Sequence, residues 1–355
     1  MRLICTGDIA LGDHPKTVGF GFFSRYKAGL PVEKAGEIFP NGFDADIRFG
    51  NLEFALDGTE SNEVCCRGVP EFAQFLKTAG FNVLNVANNH IYQYGIHAFE
   101  KTINTLNHLN IRTCGTLEDF KGGNSIIVGG MKISFLGWSD RPRQYSTEVP
   151  PYNEFNTSEC YEHVRNAAAH SDVVCVSLHW GDEFIQVPRN EERVIARNCI
   201  DNGATLVIGH HSHVLREIEE YRGGLIAYSL GNFIGDMLWD KKTRQAACLY
   251  VEVEPRKIKT WRLIPASIGE DYFPKYLAEG EARVFAAEFG AVQEMLKRLL
   301  GKYTYDKLAK RALRRHQLLT VLHFLKNLNN YPPGFASATL VDALRGRLRR
   351  LGERQ

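Results

Sequence analysis

No run in this 355-residue sequence approaches the roughly 18 consecutive apolar residues of a membrane-spanning helix, so a transmembrane reading is excluded. The N-terminal stretch MRLICTGDIALG lacks the basic segment, long apolar run and small-residue cleavage site of a secretory signal. No CxxC pair occurs among the eight cysteines, and several of these fall inside apolar runs. The expectation is reduced core thiols in a cytoplasmic protein rather than a disulfide framework. Neither sign of charge dominates: 43 Lys and Arg against 41 Asp and Glu leave +2, which points to no particular partner. There is no internal repeat and no low-complexity segment. What is present, 44% hydrophobic and 24% charged residues, is ordinary for a globular chain with a sizeable core.

The near-neutral total hides an asymmetry. Residues from Gly290 to Gln355 hold 14 Lys and Arg against four Asp and Glu, whereas residues 1–289 hold 29 against 37. The simpler reading of the basic end is the solvated face of helices packed on the body. The sharper one is a surface that docks an acidic partner, an anionic polymer or a membrane. No recognised nucleic-acid module is present, so nucleic acid is not the expected partner.

Short apolar runs alternate with helical patterns over the first two-thirds. Residues 2–6, 45–49, 81–87, 132–138, 172–178, 204–209 and 225–230 read as strands. Residues 70–79, 95–109 and 189–202 read as helices, the first opening on Pro70 and stopping at Gly80. This alternation predicts an α/β fold with buried sheets. Residues 248–254 and 260–266 follow without intervening helices and predict an antiparallel extension. Beyond about residue 270 the pattern turns helical, at 282–300, 305–327 and 338–351. The expected division is a body over 1–270 and a basic helical region over 271–355.

Polar residues able to bind metal recur just after the predicted strands. Asp8, Asn51 and Glu53, Asn89 and His90, His179, and the run His210, His211, His213 follow five of them. In α/β proteins the loops at the carboxyl ends of strands share one edge of the sheet. Singly, each residue has a bland reading: Asp8 as a turn residue, Glu53 as a solvated carboxylate, Asn89 as turn chemistry, His179 as a core histidine. The cluster at 210–213 resists that reading, because imidazoles crowded at one strand end repel when charged. Two carboxylates, an amide oxygen and several imidazoles suit two divalent metal ions such as Mn, Fe, Zn or Co. A carboxylate bridging two ions holds them roughly 3.5–4 Å apart, as in two-metal hydrolases.

The segments GDIALGD (7–13), GNLEFAL (50–56), VANNHIYQYG (86–95), SLHWGDEF (177–184), VIGHHSHV (207–214) and YSLGNF (228–233) resemble the signatures of CapA-type capsule-synthesis proteins. These are a branch of the calcineurin-like metallophosphoesterases named for poly-γ-glutamate capsule production. The resemblance implies a layered α-β-β-α sandwich with a dimetal site, followed here by a helical C-terminal extension. It implies Asp8, Glu53, Asn89, His179, His211 and His213 as metal ligands, with Asn51 behind the site and His210 as a further ligand or a support for one. His90 matches the histidine that acts on the leaving group. Gln93 stands where relatives usually have an aspartate to orient that histidine, and Ala10 where the wider superfamily has a histidine. Arg67 and Glu183 match positions expected to meet the substrate.

Together these features predict a metal-dependent hydrolase in which activated water attacks a phosphate ester or a γ-glutamyl amide. The alternative is a non-hydrolytic component of anionic-polymer synthesis or export. The substrate expected in either case is an anionic small molecule or polymer.

Overall fold

The computed structural model describes residues 1–58, 65–119, 125–141 and 148–339. Among these, two large sheets carry the architecture. The first runs from edge to edge through Pro274–Tyr276, Lys257–Ile268, Gln245–Glu254, Arg2–Ile9, Ile47–Leu52, Val83–Asn85 and Arg112–Cys114, and Asn232–Ile234 also pairs with Arg2–Ile9. The second runs through Ile218–Tyr221, Gly224–Ala227, Leu206–His210, Val173–His179, Met131–Ser139 and Ser125–Val128. Each predicted strand coincides with one of these. The late strands Gln245–Glu254 and Lys257–Ile268 pair antiparallel and widen the first sheet beside Arg2–Ile9, as the lack of a helix between them predicts.

Period-two alternation decides which side chains fill which layer. Leu3, Cys5, Phe49 and Val83 of the first sheet point inward and pack on Ile133, Phe135, Cys175, Leu206 and Ile208 of the second. Phe49 stacks on Phe135 with ring centroids 5.5 Å apart and 10° between planes. The opposite faces are covered by helices. Ile4, Ile9 and Leu84 pack against Phe72, Phe75, Leu76, Phe99 and Leu106, from helices Glu71–Thr78 and Gly95–His108. Trp138, Val174, Val176 and Val207 pack against Cys160, Val164, Ala196 and Cys199, from helices Thr157–His170 and Asn190–Asp201. The result is an α-β-β-α sandwich, the fold class the sequence predicts. The strands are apolar on both faces because both faces are buried.

Helix Thr157–His170 has no strong apolar signature. It starts where Asn156 accepts hydrogen bonds from the Ser158 and Glu159 backbone N–H groups. Helices Glu279–Lys302 and Tyr305–Lys326 match two of the three predicted at the C-terminal end. From residue 340 on, the third lies outside the described residues. The first sheet extends past residue 270, because Pro274–Tyr276 pairs with Lys257–Ile268. Phe285 packs on Leu215 and Ala247 of the body, so the helical region is docked on the sandwich. Among the described residues no helix is long and apolar enough to cross a membrane.

Candidate metal centre

Strand register brings the predicted residues into two facing rows. Across the first sheet Asn232, Asp8, Asn51 and Asn85 lie opposite one another in adjacent strands. Across the second sheet Ser139, His179 and His210 do the same. Asp8, Asn51, Asn85, Ser139, His179 and His210 stand at the carboxyl ends of parallel strands, and Asn232 opens the short strand Asn232–Ile234 beside them. Two glycines permit the close backbone approach this needs: a Cβ at Gly7 would lie 1.9 Å from the Gly231 carbonyl oxygen, and one at Gly209 would lie 2.1 Å from that of Tyr228.

Side chains then link the rows. Asn51 donates from Nδ2 to Asp8 Oδ1 at 2.9 Å, and His179 Nε2 lies 2.8 Å from Asn89 Oδ1. The His211 backbone N–H reaches Asp8 Oδ2 at 3.2 Å. His213 Nε2 is 3.6 Å from Glu53 Oε1, and its Nδ1 is 3.5 Å from Asp8 Oδ2 and 2.9 Å from Asn232 Oδ1. The rings of His179 and His211 have centroids 4.8 Å apart. His210, fully buried, places Nδ1 3.4 Å from Asp8 Oδ1. His211, His213 and Phe184 adopt left-handed backbone angles, with φ of 80°, 55° and 65°. Such strain in non-glycine residues costs of order 1–3 kcal/mol each and concentrates at functional sites.

Burial and neighbouring charges set the protonation of these groups. Burial works against the Asp8 carboxylate, yet hydrogen bonding and charge from His210, with His213 and His179 nearby, hold it down at about 2. Burial pushes Glu53 up to about 8, the Asp8 and Glu183 carboxylates adding to the rise and His213 opposing it. Burial also works against a charged His213, but Glu53, Asp8 and Glu183 outweigh it and lift the ring to about 9. His179 and His211 are driven well below the ordinary range by burial, so both rings are neutral and available as ligands. Glu53 Oε1 and both ring nitrogens of His211 are buried and make no hydrogen bond among the described residues. Each such orphan costs about 1–3 kcal/mol unless something else satisfies it.

Two donor groups emerge, Asp8 with Glu53 and His213, and Glu183 with His211 and His213. Within each, the potential ligand atoms lie within 4.8 Å of one another. Carboxylates, imidazoles and the Asn89 amide oxygen form a mixed set that suits borderline divalent ions. The residues therefore fit the group the sequence predicts.

Two predicted residues have different surroundings from those expected. Arg67 grips Asp57 through Nε at 2.8 Å and through Nη2, and its guanidinium lies 3.8 Å from the centroid of Tyr94. It is buried, and these contacts tie down its own loop. Glu183, expected at the substrate, stands among the potential cation donors. His90 lines the cleft and donates from Nδ1 to Gln93 Oε1 at 3.0 Å.

Several contributors have no site role in the sequence reading. Asn85 donates to Asn51 Oδ1 at 2.8 Å and so fixes the amide that holds Asp8. Asn88, which the sequence reads with Asn89 as turn chemistry, accepts from the backbone N–H groups of His90 and Ile91 and shapes the loop that carries Asn89. Phe184 stacks between His213 and His316. The Asn88-Asn89 doublet and the GNF run around Asn232 carried a usable signal. Phe184 and His316 carried none, because only tertiary packing unites them.

Fold and site together define a class, a layered α-β-β-α protein with a potential cation-binding rim at its strand ends. The chain belongs to the bacterial capsule synthesis protein PGA_cap family, whose pattern matches residues 2–237. It is 27% identical over 287 residues to the capsule biosynthesis protein CapA of Bacillus anthracis, covering 76% of this chain and 68% of that one. It is 29% identical over 273 residues to the PGA biosynthesis protein CapA of Bacillus subtilis, covering 74% and 70%. Among solved structures it aligns with a hypothetical protein from Thermus thermophilus at 14% identity and a TM-score of 0.46, covering 75% of this chain and 99% of that one. It aligns with the 5'-nucleotidase of Candida albicans at 13% identity and a TM-score of 0.43, covering 77% and 52%.

Proposed function

We propose that this chain is a metal-dependent hydrolase acting on a phosphate ester or a γ-glutamyl amide within anionic-polymer metabolism. The observation that carries the reading is the pair of donor groups sharing His213, set among buried ligand atoms that lack partners among the described residues. Asp8, Glu53, Asn89, His179, His211 and His213 would hold two divalent ions, with Glu183 at the open side. When bound, such ions supply Lewis acidity and lower the pKa of water.

The chain's own groups do the rest. Asn51 and the His211 backbone N–H orient the Asp8 carboxylate. Asn232 orients His213. Gln93 holds the His90 ring by Nδ1, which assigns Nε2 as the atom that takes or returns a proton at the substrate. Burial holds His90 down at about 4, so at neutral pH the ring is uncharged and Nε2 is an acceptor. A leaving group that needs little protonation suits such a ring.

A second reading draws on the names of the Bacillus relatives, which are capsule and PGA biosynthesis proteins. There the same ions would grip polymer carboxylates without hydrolysis, and a neutral Gln93 beside His90 favours it. One experiment separates the two. Purified protein is loaded with Mn, assayed for metal by elemental analysis, and offered an aryl phosphodiester and a γ-glutamyl peptide. The hydrolase reading expects about two ions per chain and turnover of one substrate class that His211→Ala abolishes. Two ions with no turnover of either would establish the second reading, and no metal uptake would overturn both.

A further inference from the structure

The cleft opening onto the candidate centre has a volume of about 250 Å³. Its lining mixes carboxylates and imidazoles, with Glu53, Glu183 and Asp236 beside His14, His90 and His213, and Asp8 lies buried next to His213. Among the described residues that line it, Lys16 supplies the lysine or arginine charge. No carboxylate pairs with its ammonium group among those residues, in contrast to the Arg67–Asp57 pair.

Lys16 is held by its backbone on both sides. Its N–H donates to His14 Nδ1 at 3.0 Å, and its carbonyl oxygen accepts from Tyr331 Oη at 2.7 Å and lies 3.1 Å from His323 Nε2. The segment around it is pinned from within as well. Asp236 Oδ2 accepts from the backbone N–H groups of His14 and Phe22 and from Thr17 Oγ1, while Asp13 accepts from Gly19 and Ser24. On the outside, Trp239 packs against both His14 and His323, with centroid separations of 5.0 and 4.7 Å. Gly19, at φ 91°, leaves room for Pro332, whose Cδ a Cβ there would meet at 2.7 Å. Helix Tyr305–Lys326 and the turn after it thus clasp one short segment of the N-terminal body. Fixing the backbone while leaving the side chain unpaired is how a recognition residue is pre-organised.

We propose that Lys16 is the residue that recognises the oxyanion of the substrate, a phosphate or a carboxylate, and that the C-terminal helical region serves as the clasp that sets it at the cleft. The proposal rests on the hydrolase reading for the identity of the site and deepens it by naming the group that selects an anion. A flexible ammonium suits a point contact to an oxyanion rather than a bidentate one. Beside the Glu183 and Asp236 carboxylates of the lining, it is the lysine or arginine charge the protein itself sets against repulsion of an anionic substrate.

The test titrates Mn-loaded full-length protein with inorganic phosphate and, separately, with L-glutamate by calorimetry. Lys16→Ala is expected to weaken the oxyanion the cleft takes by about 10- to 100-fold, the worth of a charge-assisted hydrogen bond. Mn content should stay at the wild-type level. Lys16→Arg, which keeps the charge, should recover most of the loss. Tyr331→Phe, which removes one bond to the Lys16 carbonyl, should give an intermediate loss. The anion whose binding falls identifies the source as phosphate or carboxylate. Wild-type protein that binds neither anion, or a Lys16→Ala variant within about twofold of wild type, overturns the proposal. Mn uptake by elemental analysis together with turnover of the aryl phosphodiester or γ-glutamyl peptide, read on the same samples, independently decides the hydrolase reading.

Discussion

His90 Nδ1 lies 3.0 Å from Gln93 Oε1, a neutral pairing at a place where a carboxylate would change the chemistry of the ring. Burial holds His90 down at about 4, and the amide offers orientation without charge. Gln93→Asp should raise the His90 pKa, because an opposite charge at Nδ1 favours the imidazolium. The protonated ring, confined below about pH 4 in the wild type, should then persist to higher pH, and the acidic limb of the kcat profile should move upward with it. Histidine resonances followed by NMR, alongside kcat against pH, would show it. Gln93→Leu should lower kcat by roughly 10-fold or more while leaving metal content unchanged. An unmoved profile in Gln93→Asp would exclude His90 from the rate-limiting step.

His211 offers two buried ring nitrogens without hydrogen bonds among the described residues, so its ring gives up little on meeting a cation. His211→Ala should therefore cut Mn uptake measured by elemental analysis. The midpoint of thermal unfolding should rise with Mn in the wild type and far less in the variant. At a free-ion concentration of about 100 Kd the expected gain is about 2.7 kcal/mol. Equal Mn-dependent shifts in the two proteins would remove His211 from the ligand set.

Asp240 joins the C-terminal helix to the sandwich. Its carboxylate meets Arg315 at 2.7 Å and lies 3.5 Å from His316 Nδ1, and it also accepts from the Lys242 N–H. Burial works against this carboxylate, but the nearby His316 ring, the Arg315 hydrogen bond and charge and the Lys242 N–H outweigh it and hold the group well below the ordinary range. The sign follows from that depression. The stabilisation is complete above the unfolded value, about 3.9 for Asp, and is lost as pH falls below it. Asp240→Asn should cost about 2 kcal/mol in urea unfolding at pH 7, and the difference from wild type should shrink in acid.

Phe49 and Phe135 meet face to face between the sheets, and both are about 1% exposed, so neither can be replaced by water. Phe49→Ala should destabilise the fold by about 3–5 kcal/mol. A double variant with Phe135→Ala should fall short of the sum of the single costs, because the two rings share one contact.

Much of the fold was legible because its signals are local. The strand at residues 2–9 reads as apolar on both faces, and Pro70 and Gly80 bracket their helix as punctuation. Helix Thr157–His170 was harder to read, since it buries few side chains and is set by the Asn156 cap. In the site, Asp8, Glu53, Asn89, His179, His211 and His213 could be grouped because strand-end loops share an edge. The surroundings of Arg67 could not be read, because its partner Asp57 sits ten residues away in a loop with no periodic pattern. The contact of His316 with Phe184 joins residues 132 positions apart, with ring centroids 3.5 Å from each other. No sequence window contains both.

The placement of strand Arg2–Ile9 between Ile47–Leu52 and Gln245–Glu254 has a consequence for biosynthesis. Cys5 lies opposite Leu249, so a nascent polypeptide carries one unpaired flank of its first strand until some 240 further residues have left the ribosome. At roughly 5–20 residues per second, that interval lasts about 10–50 s. Chaperone demand should therefore peak during translation rather than after release, and ribosome-bound intermediates that have not yet exposed Gln245–Glu254 should be the aggregation-prone species.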